Sequence, residues 1–404
     1  MNRVGHWATT LAVAAAAGVG FMALLVWSSP RAPGESLVSG YGVTMAVLST
    51  PWALAVGILW HAWWVRAGFR LSAMDAPARL LATAVATLPA ERRDWGAAMT
   101  AELTQVPDRR ARWRFAAGCA RAAVLPPQRH PLWVLTTAAL ATTAAIVVWL
   151  AVGDAVPTMR VFAVTFVVLV GALATAAVAR SRRLHRPRHG ALLTIAGLVG
   201  VAACIAVTAY NLRTDRSESL ASSPAITLAV VLAACLWLTL APPRALTTSR
   251  RARWVGVGVG LVLGPGVFLA ARLNETNSDG GVLIYLLNLP IVFGVASALV
   301  AVVDRSFSAG LQTTVWALMV TSLLSFAVFV LESLRWYQLH QTSLLDGDAG
   351  NGQLLHAAIF WVLIAIPVLA FPCGVIGAGL GALGARVGGA AGRQPATAGQ
   401  PPMP

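Results

Sequence analysis

The chain has 404 residues, 57% of them hydrophobic and only 11% charged, with a formal net charge of +15. Ordinary soluble domains carry roughly 25% charged residues, so a soluble globular class is excluded. All 30 basic residues are arginine, and the absence of lysine removes a P-loop lysine, a Schiff-base lysine and a kinase lysine.

In chain order, ten apolar stretches fall at 7–27, 39–65, 132–152, 159–179, 190–210, 225–242, 254–271, 281–303, 313–332 and 354–384. A spanning helix needs about 20 mostly apolar residues, so the expected fold class is an all-α, polytopic integral membrane helix bundle with ten transmembrane helices. Arg3 before the first stretch could belong to a secretory signal. Ser28, Ser29 and Pro30 give no convincing small-x-small cleavage site, so a retained signal anchor is expected. Arginines crowd alternate loops, as at Arg180, Arg182, Arg183, Arg186 and Arg188 and again at Arg244, Arg250, Arg251 and Arg253. The positive-inside rule puts those loops, both termini and about 24 of the 30 basic residues in the cytoplasm of a plasma-membrane protein. The exceptions are Arg31, Arg160, Arg213, Arg216, Arg272 and Arg335.

The expected organisation is two spans (1–66), a cytoplasmic amphipathic helical segment (67–131), an eight-helix bundle (132–384) and a disordered cytoplasmic tail (385–404). Within 67–131, prolines divide the chain into three helices. Asp75 caps the first, which stops at Pro89. The second, about 90–105, sets Trp95, Met99, Leu103 and Val106 along one stripe, with Glu102 inside it. Pro107 ends it, and Asp108 caps a third helix from Arg109 to Leu125. That helix places Trp113, Ala117, Ala120 and Val124 on one face, flanked by Arg110, Arg112, Arg114 and Arg121. Two readings stay open: a helix lying among anionic lipid headgroups, or a small helical cap docked on the bundle. Glu102 needs a cationic partner on an apolar face, for which Arg109, Arg112 and Arg121 are candidates. The docking residues for lipid or a partner are therefore Trp95, Met99, Glu102, Leu103, Arg112, Trp113, Arg114 and Arg121.

The run from Glu91 to Leu103, and then Arg112 to Cys119, resembles the RxxWxxAMxAEL…RxxFAxGC segment of uncharacterised bacterial multi-pass membrane proteins. Such proteins are often encoded beside a PadR-like repressor, and some are labelled permeases. The resemblance covers about a tenth of the chain. It implies a recurrent cytoplasmic module and carries no catalytic residues.

Catalytic and metal chemistry is sparse. Cys119, Cys204, Cys235 and Cys373 form no CxxC. His61 sits with Trp60, Trp63 and Trp64 as a membrane-belt group. The turn Asp346 to Asn351 fails as a calcium loop, because the EF-hand positions for an oxygen ligand, glycine and glutamate are Gly350, Asn351 and Ala357. The expectation is no cofactor, no metal, no enzymatic activity and no nucleic-acid partner. Ion coupling would require Glu332, Arg335 or Asp304 to reach inward.

The late spans hold the candidate pathway. Gly256, Gly260 and Gly264 recur every four residues before Pro265, a pattern that serves close helix packing or a broken transporter helix. Asn288, beside Pro290, is the polar exception in its span. Asn288, Pro290, Gly264 and Pro265 are the candidate pathway residues. The expected function is permease- or transporter-like, with membrane lipids and a separate ATPase subunit or regulatory protein as partners. The alternative is a membrane regulatory or envelope-stress protein acting through its arginine-rich helices, and an intramembrane enzyme stands third.

Overall fold

The computed structural model describes residues 3–28, 40–71, 74–86, 93–124, 131–155, 159–179, 191–214, 220–240, 242, 246–266, 268–269, 280–340 and 354–391. Among them there is no strand. Two long helices, α1 (Arg3–Ser28) and α2 (Gly40–Leu71), come first. Three short ones follow: α3 (Ala76–Ala86), α4 (Arg93–Gln105) and α5 (Arg109–Val124). Then come α6 (Pro131–Ala155), α7 (Arg160–Ala179), α8 (Ala191–Thr214), α9 (Ser222–Leu240) and α10 (Arg250–Leu263). The chain continues through α11 (Gly280–Val303), α12 (Phe307–His340), the single turn α13 (Leu354–Ala358), a π-helical stretch (Ile359–Ala365) and α14 (Ile366–Ala391).

Each of the ten apolar stretches contains helix among the described residues. By length and composition, four described helical segments can cross a membrane: Leu193–Thr214, Ser222–Leu240, Phe307–Leu339 and Leu354–Val387. Shorter apolar segments, Trp7–Ala23, Thr136–Val147, Arg160–Thr175 and Asn288–Val303, lie inside α1, α6, α7 and α11. Helix ends differ from expectation in several places, and α2 runs on to Leu71, past the expected boundary at 66. The stretch 254–271 is interrupted after Leu263, because Pro265 has no N–H to continue the ladder. The loop expected from 333 begins with helix as far as His340. The tail expected from 385 is helical to Ala391. The basic loop 180–189, the turn Asp346 to Asn351 and the tail beyond Ala391 lie outside the described residues.

Glycine sets the packing. Added Cβ atoms at Gly256 and Gly260 of α10 and at Gly264, its C-cap, would lie 2.7 Å from Thr313 O, 2.6 Å from Val320 Cβ and 2.5 Å from Leu324 Cβ. The numbering rises together on both helices, so α10 and α12 run parallel with backbones in near contact. The same holds for α11 and α14, where Gly377 and Gly381 press on the carbonyls of Gly294 and Ala298. The α11–α12 pair is antiparallel, since Ser297 meets Thr314 while Tyr285 meets Ser325. The α1–α2 pair is also antiparallel, with Gly18 against Ala53 and Gly57 against Ala14. This hairpin is closed by Trp7 stacked on His61 at 4.9 Å between ring centroids.

The hairpin docks on α14 through Trp52. Pro372 has no N–H, so the carbonyl four residues earlier, Val368 O, loses its helical donor. Trp52 Nε1 donates to that oxygen at 2.9 Å. Phe371 lies 6.1 Å from the indole, centroid to centroid, and covers it.

Candidate functional site

The three short helices form their own small core. Leu81, Met99, Leu103 and Ala116 are buried together, with Ala78, Val85, Phe115, Cys119 and Ala123 packed around them. Both expected caps are made: Ala78 N donates to Asp75 Oδ1 at 3.1 Å, and Ala111 N to Asp108 Oδ2 at 2.8 Å. The expected stripe of α4 is split. Met99 and Leu103 are 5% and 1% exposed, whereas Trp95 is 41% exposed. Glu102 is exposed to solvent and not inside the apolar face, because seven residues after Trp95 the helix returns to the same outward side.

On α5 the inward face is Ala116, Phe115, Cys119 and Ala123. Trp113 and Ala117, expected on the apolar face, point outward with Arg114 and Arg121, and Ala120 is only part-buried. Arg112 pairs with Asp75 rather than Glu102, with Nε 2.9 Å from Asp75 Oδ2. Its Nη1 donates to Leu103 O at 2.7 Å and Val106 O at 3.0 Å. Leu103 O receives only a long bond of 3.3 Å from Val106 N–H, since Pro107 has none to give, and Val106 O lies just past the end of α4, so Arg112 ties the cap of α3 and the end of α4 to α5. Its hydrogen bond holds the Asp75 carboxyl below the usual carboxylate range. Desolvation raises the Cys119 thiol, and the Glu102 carboxylate adds to the shift.

The second site is a polar seam in the bundle. The helix α12 is lined by buried Gln312, Thr313, Thr314, Thr321, Ser322, Ser325, Glu332 and Ser333. Thr314, Thr321, Ser325 and Glu332 recur at steps of seven, four and seven, which return to one helical face. Where this face meets α11, Ser297 Oγ donates to Gly310 O at 2.6 Å and lies 2.8 Å from Thr314 Oγ1. Further along, Tyr285 Oη donates to Leu263 O at 2.9 Å, and Ser325 Oγ reaches Gly264 O at 3.2 Å and Tyr285 Oη at 3.0 Å. The break at Pro265 explains these bonds. Phe268 N–H turns to Pro265 O at 2.9 Å, leaving Gly264 O for a hydroxyl from a neighbouring helix. Between the two hydroxyl pairs, Thr321 Oγ1 is buried without a hydrogen-bond partner among the described residues.

Both ends of α12 carry ion pairs. At one end, Asp304 accepts from Ser249 Oγ at 2.6 Å and from Arg251 Nη1 at 3.1 Å. Buried Gln312 receives Ser249 N–H at 3.0 Å and bonds Thr248, while Trp316 Nε1 donates to Leu246 O at 2.9 Å. At the other end, Glu332 pairs with Arg335 at 3.0 Å and its side chain is 6% exposed. Glu332 is the one buried carboxylate among the described residues.

Of the expected pathway residues, the structure brings Gly264 to the seam and buries it, with Pro265 exposed at the break. Asn288 is on the outward side of α11 with Ile291, Val295 and Leu299, and Pro290 is part-buried. It therefore does not face the seam. The reason is register: the seam side of α11 is Tyr285, Leu289, Phe293 and Ser297, one step away at every turn. Thr314, Thr321 and Ser325 were missed because hydroxyl side chains barely interrupt an apolar run, although their regular spacing was available. Cys204 and Cys235 are buried as expected, Cys204 Sγ donating to Leu323 O at 3.3 Å.

No protein-family model matches this chain, and no curated protein or solved structure matches it.

Proposed function

We propose that the chain is a ten-span, permease-like transporter of the plasma membrane, with both termini cytoplasmic and its solute path along the seam between α11 and α12. One observation carries this reading: Thr314, Thr321, Ser325 and Glu332 line one buried face, with the Thr321 hydroxyl unpartnered among the described residues. From Thr314 to Glu332 is eighteen residues, about 27 Å at 1.5 Å per residue, close to the roughly 30 Å hydrocarbon thickness. Helix glue needs matched hydrogen bonds, and an unmatched hydroxyl between matched pairs suits a transient polar visitor better. The alternation of parallel and antiparallel pairs supports successive crossings. Glu332 meets the condition for ion coupling by lying inward, and a separate ATPase subunit is the other source of energy.

Aqueous labelling tests this without knowledge of the solute. Single cysteines at Ser297, Thr314, Thr321 and Ser325, in a chain lacking the four native cysteines, are treated in vesicles with a membrane-impermeant thiosulfonate. Thr321→Cys and Ser325→Cys should react, while cysteines at Val295 and Leu299 on the outward face should not. If no seam position reacts, the seam is static glue and transport is dropped. A regulatory protein acting through α5 is the second reading, favoured by the self-contained core of α3–α5.

A further inference from the structure

We infer that the outward face of α5 docks on the anionic lipid surface of the membrane that holds the chain's own apolar helices. The inference rests on α2 and α6 crossing that membrane; it does not require the seam to transport anything. The helix holds five arginines and no acid. Arg112 turns inward to Asp75 and the end of α4. Arg110, Trp113, Arg114, Ala117, Gly118 and Arg121 are exposed and recur at steps of three and four, which makes one continuous face. Of the nearby carboxylates, Asp75 is committed to Arg112 and Asp108 to the N-terminus of α5, while Glu102 lies close enough to raise the Cys119 thiol. Among the described residues, neither Glu102 nor any other acid makes an ion pair with Arg110, Arg114 or Arg121.

The chain path chooses the occupant. Only residues 72–75 separate α2 from α3, and only 125–130 separate α5 from α6. Six linking residues reach at most about 25 Å, so α5 cannot leave the neighbourhood of the membrane surface. A tryptophan among arginines matches that surface, the indole taking the headgroup boundary and each guanidinium an anionic lipid. The structure adds a distinction that spacing could not make: Arg112 belongs to the fold of the module, and the lipid-facing charge is Arg110, Arg114 and Arg121.

The test uses the full-length chain in lipid nanodiscs, with an environment-sensitive fluorophore on Gly118→Cys in a background free of native cysteines. A side chain at Gly118 has open space, since an added Cβ meets nothing within 4 Å. With about 30% phosphatidylglycerol, emission should shift to the blue and be quenched by brominated lipid. Phosphatidylcholine discs should show neither effect, and a probe at exposed Ala101 on α4 should stay in water in both. Each of Arg110→Gln, Arg114→Gln and Arg121→Gln should lower the docked-to-free ratio by about fivefold. Amide exchange of α5 in the unmodified chain should slow with anionic lipid, which guards against a fault of the cysteine-free background. Emission that is blue in both lipids and in detergent would mean docking on protein, and would overturn the inference. So would a probe that stays in water throughout, or quenching that ignores the arginines. Failure of the seam-labelling experiment would leave these readings unchanged, so the two proposals fail separately.

Discussion

Arg112 holds Asp75 at 2.9 Å while its other nitrogen caps the carbonyls of Leu103 and Val106. One side chain thus joins three helices that share only a small apolar core. Arg112→Met should cost the module about 2–3 kcal/mol, because Val106 O loses its charged donor and Leu103 O keeps only the long bond from Val106 N–H. Asp75→Asn keeps the cap and removes only the partly exposed charge, so it should cost under about 1 kcal/mol. Amide exchange across 76–124 in the full-length chain measures both. Equal losses would show that the charge pair, and not the carbonyl cap, is the main link.

The same pair sets a pH response. Asp75 is depressed by its bond to Arg112, so the folded state binds its proton less readily than the unfolded chain. The resulting stability is present at neutral pH and is lost as the pH falls below about 4 and through the depressed value. Exchange protection of α3 and α5 should follow that course. In Asp75→Asn the acid-dependent loss should shrink, and an unchanged profile would rule Asp75 out as its source.

Cys119 has a thiol raised by desolvation and by Glu102, and thiolate is the reactive form. Alkylation at neutral pH should therefore be slower than for a cysteine placed at Gly118, and should accelerate as pH rises. Glu102→Gln should speed it modestly. No change would mean that burial alone controls the site.

Gly260→Ala would put a Cβ 2.6 Å from Val320 Cβ, too close for either backbone to tolerate without moving. A loss of about 1–3 kcal/mol is expected, with partial recovery in the double variant carrying Val320→Ala, which removes the Cγ1 that the added Cβ would also meet at 2.8 Å. At Gly258, where an added Cβ meets nothing within 4 Å, alanine should be neutral. Thermal unfolding in detergent distinguishes the two positions. Equal effects would remove close approach as the reason for the glycine row.

Trp52→Phe should destabilise the protein by about 1–2 kcal/mol, since it leaves Val368 O without a donor in an apolar setting. Pro372→Ala supplies the missing helical N–H. The double variant should therefore be more stable than Trp52→Phe alone, a coupling that two independent packing losses would not produce.

The helices were legible because about twenty apolar residues in a row leave little alternative in a bilayer. The caps at Asp75 and Asp108 were equally plain, since both depend on local chain geometry. Which face of each helix turns inward was much less so. In α4 and α5 the stripe spacing fitted two adjacent faces, and the aromatic residues favoured the wrong one: Trp95 and Trp113 are outside, while small Ala116 is at the centre. Inside a membrane the difficulty grows, because lipid-facing and protein-facing positions are both apolar. Asn288 drew attention as the most polar residue of its span, whereas the seam is built from serine, threonine and tyrosine hydroxyls, of which Ser325 and Tyr285 satisfy broken backbone. Their partners, Gly264 O and Leu263 O, come from another helix, and pairings of that kind depend on the assembled bundle.

The Trp52 contact also has a bearing on biogenesis. Trp52 and Val368 are 316 positions apart in the chain, so the α1–α2 hairpin is synthesised long before the helix that receives it. Until then the indole lacks the carbonyl it binds, although Gly18 and Gly57 already close the hairpin on itself. The bundle becomes a closed circuit when the last helix arrives, and ribosome stalling before that point should leave the leading hairpin exposed to membrane quality-control proteases.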